Sequence, residues 1–372
     1  MSIGIAWQIT PIVEGSGYST EPSLAFSPSG QPSIAYSAGF AQALRLATLG
    51  GNGTWTFETA DKGFFGANTP SLRFRFNQPA VSYIFPSGSW DHPGPDQLRF
   101  ALRTGGNWEI VIVAPDVASA PSSLAIDASQ RAGVSYTKED HVVFSHAGPP
   151  WASWVGGTVD QGEAYTQSLA FSPSGLPAIA YSVVGSIKFA AFDGNNWQIE
   201  TVASIQTAGG DCSLAFSPSG EPAICYRDMH RSGGRYGNHL IFVQLQGTNW
   251  IRETVAEAAE MGSLAFSPSG EPAISYHDIY GEAIKYAVFT DRRWQHFLVE
   301  QAGKTPTGDF IGPFLWTSLA FSPSGQPAIS YHDRAIANIK YAVGTVIRGV
   351  QGGGLLSWLW DLLSLLRPRH GQ

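Results

Sequence analysis

The chain has 372 residues, 43% of them hydrophobic and 12% aromatic, which supplies a core and excludes a disordered chain. Its 22 basic and 29 acidic residues give a net charge of −7, which argues against a broad basic surface gripping a phosphate backbone, so no nucleic-acid partner is expected. Charged residues make up only 14%, while 42 glycines and 24 prolines fit many short strands joined by tight turns.

The chain begins MSIGIAWQIT, without the basic start, long apolar run and small-residue cleavage site of an export signal. A cytoplasmic protein is expected, although a non-standard export route would leave no such mark. Within this segment, residues 6–13 read as a strand opened by Trp7.

From Ser23 one phrase recurs: SLAFSPSGQPSIAYS there, with close copies at Ser168, Ser213, Ser263 and Ser318 and worn copies at Ser71 and Ser123. The starts step by 48, 52, 45, 45, 50 and 55 residues, a period suited to a propeller blade rather than a helical solenoid. Each copy holds an apolar run, a Pro-Ser-Gly turn in which Pro presets φ and Gly relieves the bend, and a second run such as Pro272-Ala273-Ile274-Ser275-Tyr276. A third run follows in most units, as at Ile284-Lys285-Tyr286, and then a fourth opened by tryptophan. Such a sheet, apolar on both faces, is stable only in a ring where neighbours cover each face.

The tryptophans check the count. Trp55, Trp108, Trp154, Trp197, Trp250 and Trp294 open the fourth runs of units one to six, and unit seven has none. Its counterpart is the segment at Trp7, so the N-terminal strand is expected to complete the last blade and remove the two exposed sheet edges. The fold expected is all-β: a seven-bladed β-propeller of four-stranded blades over 1–348, then a Gly-rich linker, 349–354, and a short C-terminal apolar helix, 355–367. The pattern SLA…SPSGxPAISYHD…IKYA…W…E.V resembles a set of bacterial seven-bladed propeller repeat proteins and, more loosely, seven-bladed propeller lectins. That resemblance covers 1 to about 346 and implies a fold rather than an activity.

Loops from second to third strands and from one blade to the next share one face, here called upper, and the Pro-Ser-Gly turns lie on the lower face. Three consecutive units carry ionisable triplets after the second run: Tyr226-Arg227-Asp228, Tyr276-His277-Asp278 and Tyr331-His332-Asp333. Imidazole beside carboxylate could ligate a metal or form a general base with its orienter. Alternatively Asp caps the turn, His packs on the next blade and Tyr joins the core. Two histidines about 55 residues apart have no diagnostic metal spacing, so neither metal nor cofactor is expected.

Insertions add Trp90 and His92 in unit two, His230 and Tyr236 in unit five, and Phe310, Phe314 and Trp316 before unit seven. Aromatic plates beside hydrogen-bonding groups suit sugar rings and other small polar ligands; equally, these rings could only bury the loops. Unit two also reads Leu72-Arg73-Phe74-Arg75 where Ala and Ser stand at the arginine positions of other copies, so Arg73 and Arg75 each need a carboxylate, as in an ion pair with a neighbouring Asp or Glu, or else carbonyls, channel water or an anionic ligand. The recurrent Trp-x-x-Glu reads as packing. Folding the turn at Gly220 sets Cys225 nearer Leu214 than Cys212, which disfavours a disulfide, and two cysteines cannot make a disulfide framework.

Beyond the last repeat, nine of the twelve residues 355–366 are large and apolar, and Ser357, Asp361 and Ser364 fall on one sector at about 100° per residue. A helix there reaches roughly 18 Å, too short to span a bilayer core of about 30 Å. Its apolar side chains, Leu355, Trp358, Leu359, Trp360, Leu362, Leu363 and Leu366, therefore need a docking surface: the propeller itself, a second copy in a homo-oligomer, or a lipid or protein partner.

Three functions compete at this stage. The first is a non-enzymatic, lectin-like binding propeller taking a glycan or small polar ligand on the upper rim. The second is an enzyme, a polysaccharide lyase or hydrolase, using His277, His332, Tyr236 and Arg227. The third is an interaction scaffold.

Overall fold

The computed structural model describes residues 3–12, 19–38, 43–63, 68–87, 94–206, 210–232, 235–301, 315–333 and 338–348. These form seven four-stranded antiparallel sheets. Blades one to six occupy 19–62, 68–117, 123–161, 166–204, 212–257 and 259–301, each with its strands in chain order from the channel outward. In blade seven the order is Leu315–Phe321, Pro327–Asp333, Asn338–Arg348 and then Ile3–Ile12. The N-terminal strand pairs continuously from Ile3 opposite Arg348 to Ile12 opposite Ile339, so the expected closure is present. The linker and helix expected at 349–354 and 355–367 lie outside the described residues.

Burial explains why the repeat reads as it does. Second strands such as Pro272–Asp278 and Pro327–Asp333 are covered on both faces and run apolar as far as the tyrosine apart from one buried serine, whereas outer strands alternate exposed and covered positions. Core clusters form between blades: Leu264, Ile274 and Tyr276 of blade six pack on Cys225, Leu240 and Phe242 of blade five. Across the closure, Ile12, Leu24, Ile34 and Tyr36 meet Ala328, Ile339 and Tyr341.

Two repeated devices join the blades. Six of the seven fourth-strand tryptophans meet an aromatic ring on the third strand of the preceding blade, edge to face in the pairs Trp7–Tyr286, Trp55–Tyr341, Trp154–Phe100, Trp197–Phe144, Trp250–Phe189 and Trp294–Phe242, with centroids 5.2–5.6 Å apart, while Trp108 packs against the cluster that includes Leu44 and Leu46. Such pairs add about 0.5–1.5 kcal/mol beyond burial. Trp154 makes its contact from just ahead of the strand Val155–Gln161 rather than from within it.

The second device is a belt of serines around the channel. The Leu24 N–H donates to Ser318 Oγ, Leu72 to Ser23, Leu124 to Ser71, Leu169 to Ser123, Leu214 to Ser168, Leu264 to Ser213 and Leu319 to Ser263, all at 2.9–3.1 Å. An innermost strand has no further strand to accept from its channel-side amides, and the neighbouring serine satisfies one of them. This is the physical reason that every copy begins Ser-Leu.

Pro-Ser-Gly turns close through bonds such as Gly30 N–H to the Ser27 carbonyl, 2.8 Å, with Gly30 at φ 86. In worn copy three, Gln130 takes the left-handed position at φ 64 and Asp127 replaces the leading serine, accepting the Gln130 N–H at its carbonyl.

The cysteines differ slightly from expectation: Cys225 lies opposite Ser213, not Leu214, while Cys212 lies opposite Tyr226. The two thiols therefore sit on opposite faces of blade five and are free, and burial pushes the Cys212 thiol up to about 12.

Candidate functional site

The second-strand triplets fall inside strands, and their histidines are buried, 0% exposed for His277 and 4% for His332, rather than set on an open rim. His277 Nδ1 lies 3.3 Å from Glu260 Oε1, on the paired first strand of its own blade, which corrects the expectation that it packs on the next blade. Glu260 also takes Arg227 Nη1 at 3.3 Å, and Arg227 Nε lies 3.4 Å from Asp211. The hydrogen bond from His277, aided by the Arg227 charge, holds the Glu260 carboxyl below its usual range against the opposing effect of burial. Asp278 caps its turn, accepting the Gly281 N–H at 2.8 Å, and pairs with Lys285 at 2.5 Å. Asp228 pairs with Arg252 at 3.0 Å and Asp333 with Lys340 at 2.7 Å.

The tyrosines do more than fill the core. Tyr83, Tyr181 and Tyr331 each donate at 2.6 Å to a carboxylate on the preceding blade's outer strand, Asp61, Asp160 and Glu300. Arg99, Lys188 and Lys340 bind the same carboxylates at 2.6–2.8 Å, forming three polar clasps between blades. Sequence reading missed these because the partners lie 21 to 31 residues apart.

Trp90 and His92 of the second insertion lie outside the described residues, as do Phe310 and Phe314. The insertion of unit five is a hairpin extension rather than a loop: Pro222–Ser232 and Arg235–Gln246 continue their pairing through His230 opposite Gly237 and Arg231 opposite Tyr236. Trp316 sits in a β-bulge at φ 46 and borders the upper channel mouth with Pro22, Pro70, Pro121 and Gln167, around a space of about 200 Å³. Arg73 lines the channel, a lumen of about 860 Å³. Arg75, expected beside it, turns instead to the lower rim. There Nε meets the Gln130 carbonyl at 3.3 Å, Nη1 meets Gln78 at 3.2 Å, and the guanidinium lies over Phe76 and Trp151.

A site not anticipated from sequence opens on the lower side of the junction between blades three and four. A pocket of about 340 Å³ is walled by Phe144, Phe171, Phe192 and Trp197, with Arg131, Asp127 and His146 at its edge. Asp127 fixes the Arg131 guanidinium at 2.7 Å, and His146 stacks on Phe144 with centroids 5.9 Å apart.

The pocket lies where the outer strand of blade three departs from those of blades one, four and five, which carry a glutamate three residues after the tryptophan; blades two, six and seven carry Val111, Phe297 and Thr10 there. Where blades four and five carry Trp-x-x-Glu, blade three reads Trp154-Val155-Gly156-Gly157, with Gly157 at the glutamate position. In blades four and five that glutamate accepts the next blade's indole, Trp250 to Glu200 at 3.0 Å and Trp294 to Glu253 at 2.9 Å, whereas Glu58 of blade one takes Arg103 at 2.6 Å. Trp197 has no such acceptor among the described residues. A Cβ at Gly157 would meet nothing within 4 Å, whereas one at Gly156 would strike Phe144 and Ser145. The interrupted pattern was the available signal.

Among the described residues no three His, Cys, Asp or Glu side chains gather as a metal site, and no helix is long and apolar enough to cross a membrane.

No family model matches the chain, and no curated protein matches it. Solved structures do. A protein of unknown function from Dyadobacter fermentans aligns over 92% of this chain and 100% of its own, with TM-score 0.59 at 13% identity. A polysaccharide lyase described as an ulvan lyase aligns over 88% and 93%, with TM-score 0.58 at 10% identity. A lectin of Aleuria aurantia in complex with α-methyl-L-fucoside aligns over 79% and 98%, with TM-score 0.50 at 15% identity. At these identities the likeness is one of propeller fold.

Proposed function

We propose that the protein is a non-enzymatic, lectin-like propeller that binds a glycan, with the pocket between blades three and four as its principal site. The observation that carries this reading is the replacement of a glutamate by Gly157, which leaves an aromatic pocket with an unengaged Trp197 indole N–H beside an oriented Arg131. Sugar C–H faces stack on such rings, while hydroxyls accept from indole and guanidinium and donate to carboxylate. Carbohydrate-related neighbours, the fucoside-bound lectin and the ulvan lyase, lend support.

Binding is favoured over catalysis because the candidate acid–base groups are engaged structurally: His277 is buried against Glu260, and Arg227 is held between Asp211 and Glu260. The apolar residues 355–366 would serve docking or self-association beside this activity.

The test is a glycan array followed by calorimetry on the best binder. Gly157→Glu, which restores the sibling residue, should close the pocket and abolish binding while the protein stays folded. Arg131→Ala should weaken binding about tenfold or more, the loss of a charge-assisted hydrogen bond. Undiminished glycan binding by Gly157→Glu, or turnover of the bound glycan, would overturn the reading.

A further inference from the structure

The repeat is broken a second time inside the channel. At the third position of the innermost strand the other six blades place alanine, Ala25, Ala125, Ala170, Ala215, Ala265 and Ala320, and blade two places Arg73. Arg73 is the one charged side chain among the described residues lining this lumen. Its Nη1 donates to the carbonyl of Leu72 at 2.7 Å, and this is its only hydrogen bond among the described residues. No carboxylate among them pairs with it. Partial burial in the channel wall lowers Arg73 from its ordinary range, the direction expected of a cation partly withdrawn from water without a counter-charge among the described residues.

The serine belt supplies what a guanidinium alone lacks. Each belt Oγ already accepts a leucine N–H, and none of the seven hydroxyls donates to a protein acceptor among the described residues. Four of them, Ser168, Ser213, Ser263 and Ser318, line the lumen and their protons are free to point into it, while Ser23, Ser71 and Ser123 border the upper mouth. The Leu72 carbonyl that anchors Arg73 follows directly after Ser71, so the guanidinium is tethered next to the belt. Toward the lower mouth the lining sets Phe26, Phe74, Phe171, Phe216, Phe266 and Phe321 beside Ser27, Ser267 and Ser322. A fixed cation in one lumen with four O–H donors matches a small multivalent oxyanion and disfavours a cation or a neutral apolar ligand.

We propose that the central channel is an oxyanion-binding site, in which Arg73 supplies the charge and the serine belt supplies neutral donors to a phosphate- or sulfate-sized ligand. This site is separate from the glycan pocket, which lies on the outer lower side of the junction between blades three and four.

The test titrates inorganic phosphate, and separately sulfate, against the full chain at constant ionic strength, following the melting temperature and the heat of binding. The wild type should show a saturable rise in melting temperature. Arg73→Ala, the residue of every sibling blade, should fold, melt no lower than the wild type without anion, and lose the rise. Arg73→Lys should keep part of it, with affinity weaker by about tenfold, since a point charge replaces a forked donor. Gly157→Glu should leave the titration unchanged, so failure of the glycan reading and failure of this one are distinguishable. An equal rise in Arg73→Ala, or no saturable response in the wild type, would overturn the proposal.

Discussion

The junction between blades three and four and the junction between blades four and five are built from the same parts and end differently. At the second, Trp250 meets Phe189 edge to face and its indole N–H reaches Glu200 across the junction. At the first, Trp197 meets Phe144 in the same way, but Gly157 stands where the glutamate would be and a cavity of about 340 Å³ remains. One side-chain deletion converts a structural seam into a pocket. In a repeat protein the informative residues are those that break the repeat, because the common ones already answer to packing.

This comparison presupposes a closed ring, and the largest effect expected is from opening it. Removing residues 1–12 strips the outer strand from blade seven, uncovers the edge of Asn338–Arg348 and should cause aggregation, read by size-exclusion chromatography.

Next in size, Trp250→Ala should cost about 3 kcal/mol or more in denaturant unfolding. Trp197→Ala should cost less, because one side of that ring already faces a cavity and carries fewer packing partners. Equal losses would mean that the two junctions are mechanically alike.

A neutral–charged bond is tested by Tyr331→Phe, which removes the hydroxyl donating to Glu300 and should cost about 1.5 kcal/mol or more. Gly157→Glu should run the opposite way and stabilise by about 1 kcal/mol through a new indole–carboxylate bond.

The smallest effect is a pH dependence. Because the Glu260 carboxyl is held below its ordinary value near 4.5, its contribution is present above that value and fades as pH falls toward the lower folded value. Glu260→Gln should therefore narrow the stability gap between pH 7 and acid, measured by unfolding at each pH.

The interblade clasps and the pocket differ in how readable they were. Tyr331 and Lys340 are visible repeat residues, yet nothing in their spacing reveals that both reach Glu300 of the preceding blade. His277 looked like a rim residue because it ends an apolar run; two covered faces made it a buried partner of Glu260 instead. Arg73 and Arg75 looked equivalent two residues apart, but Arg75 found the Gln130 carbonyl and an aromatic bed on the lower rim while Arg73 kept the channel.

The chain by itself determined the number of blades, their four strands and the return of its own first segment to the last sheet. These follow from periodicity and turn chemistry, which are written along the covalent sequence and need no neighbour to be read. Only the tertiary structure decided which side chains oppose one another across a junction, and so where a missing glutamate becomes a cavity and which arginine keeps the lumen. Those outcomes depend on the register and rotation between sheets, and packing free energy fixes that geometry only once all seven blades are in place.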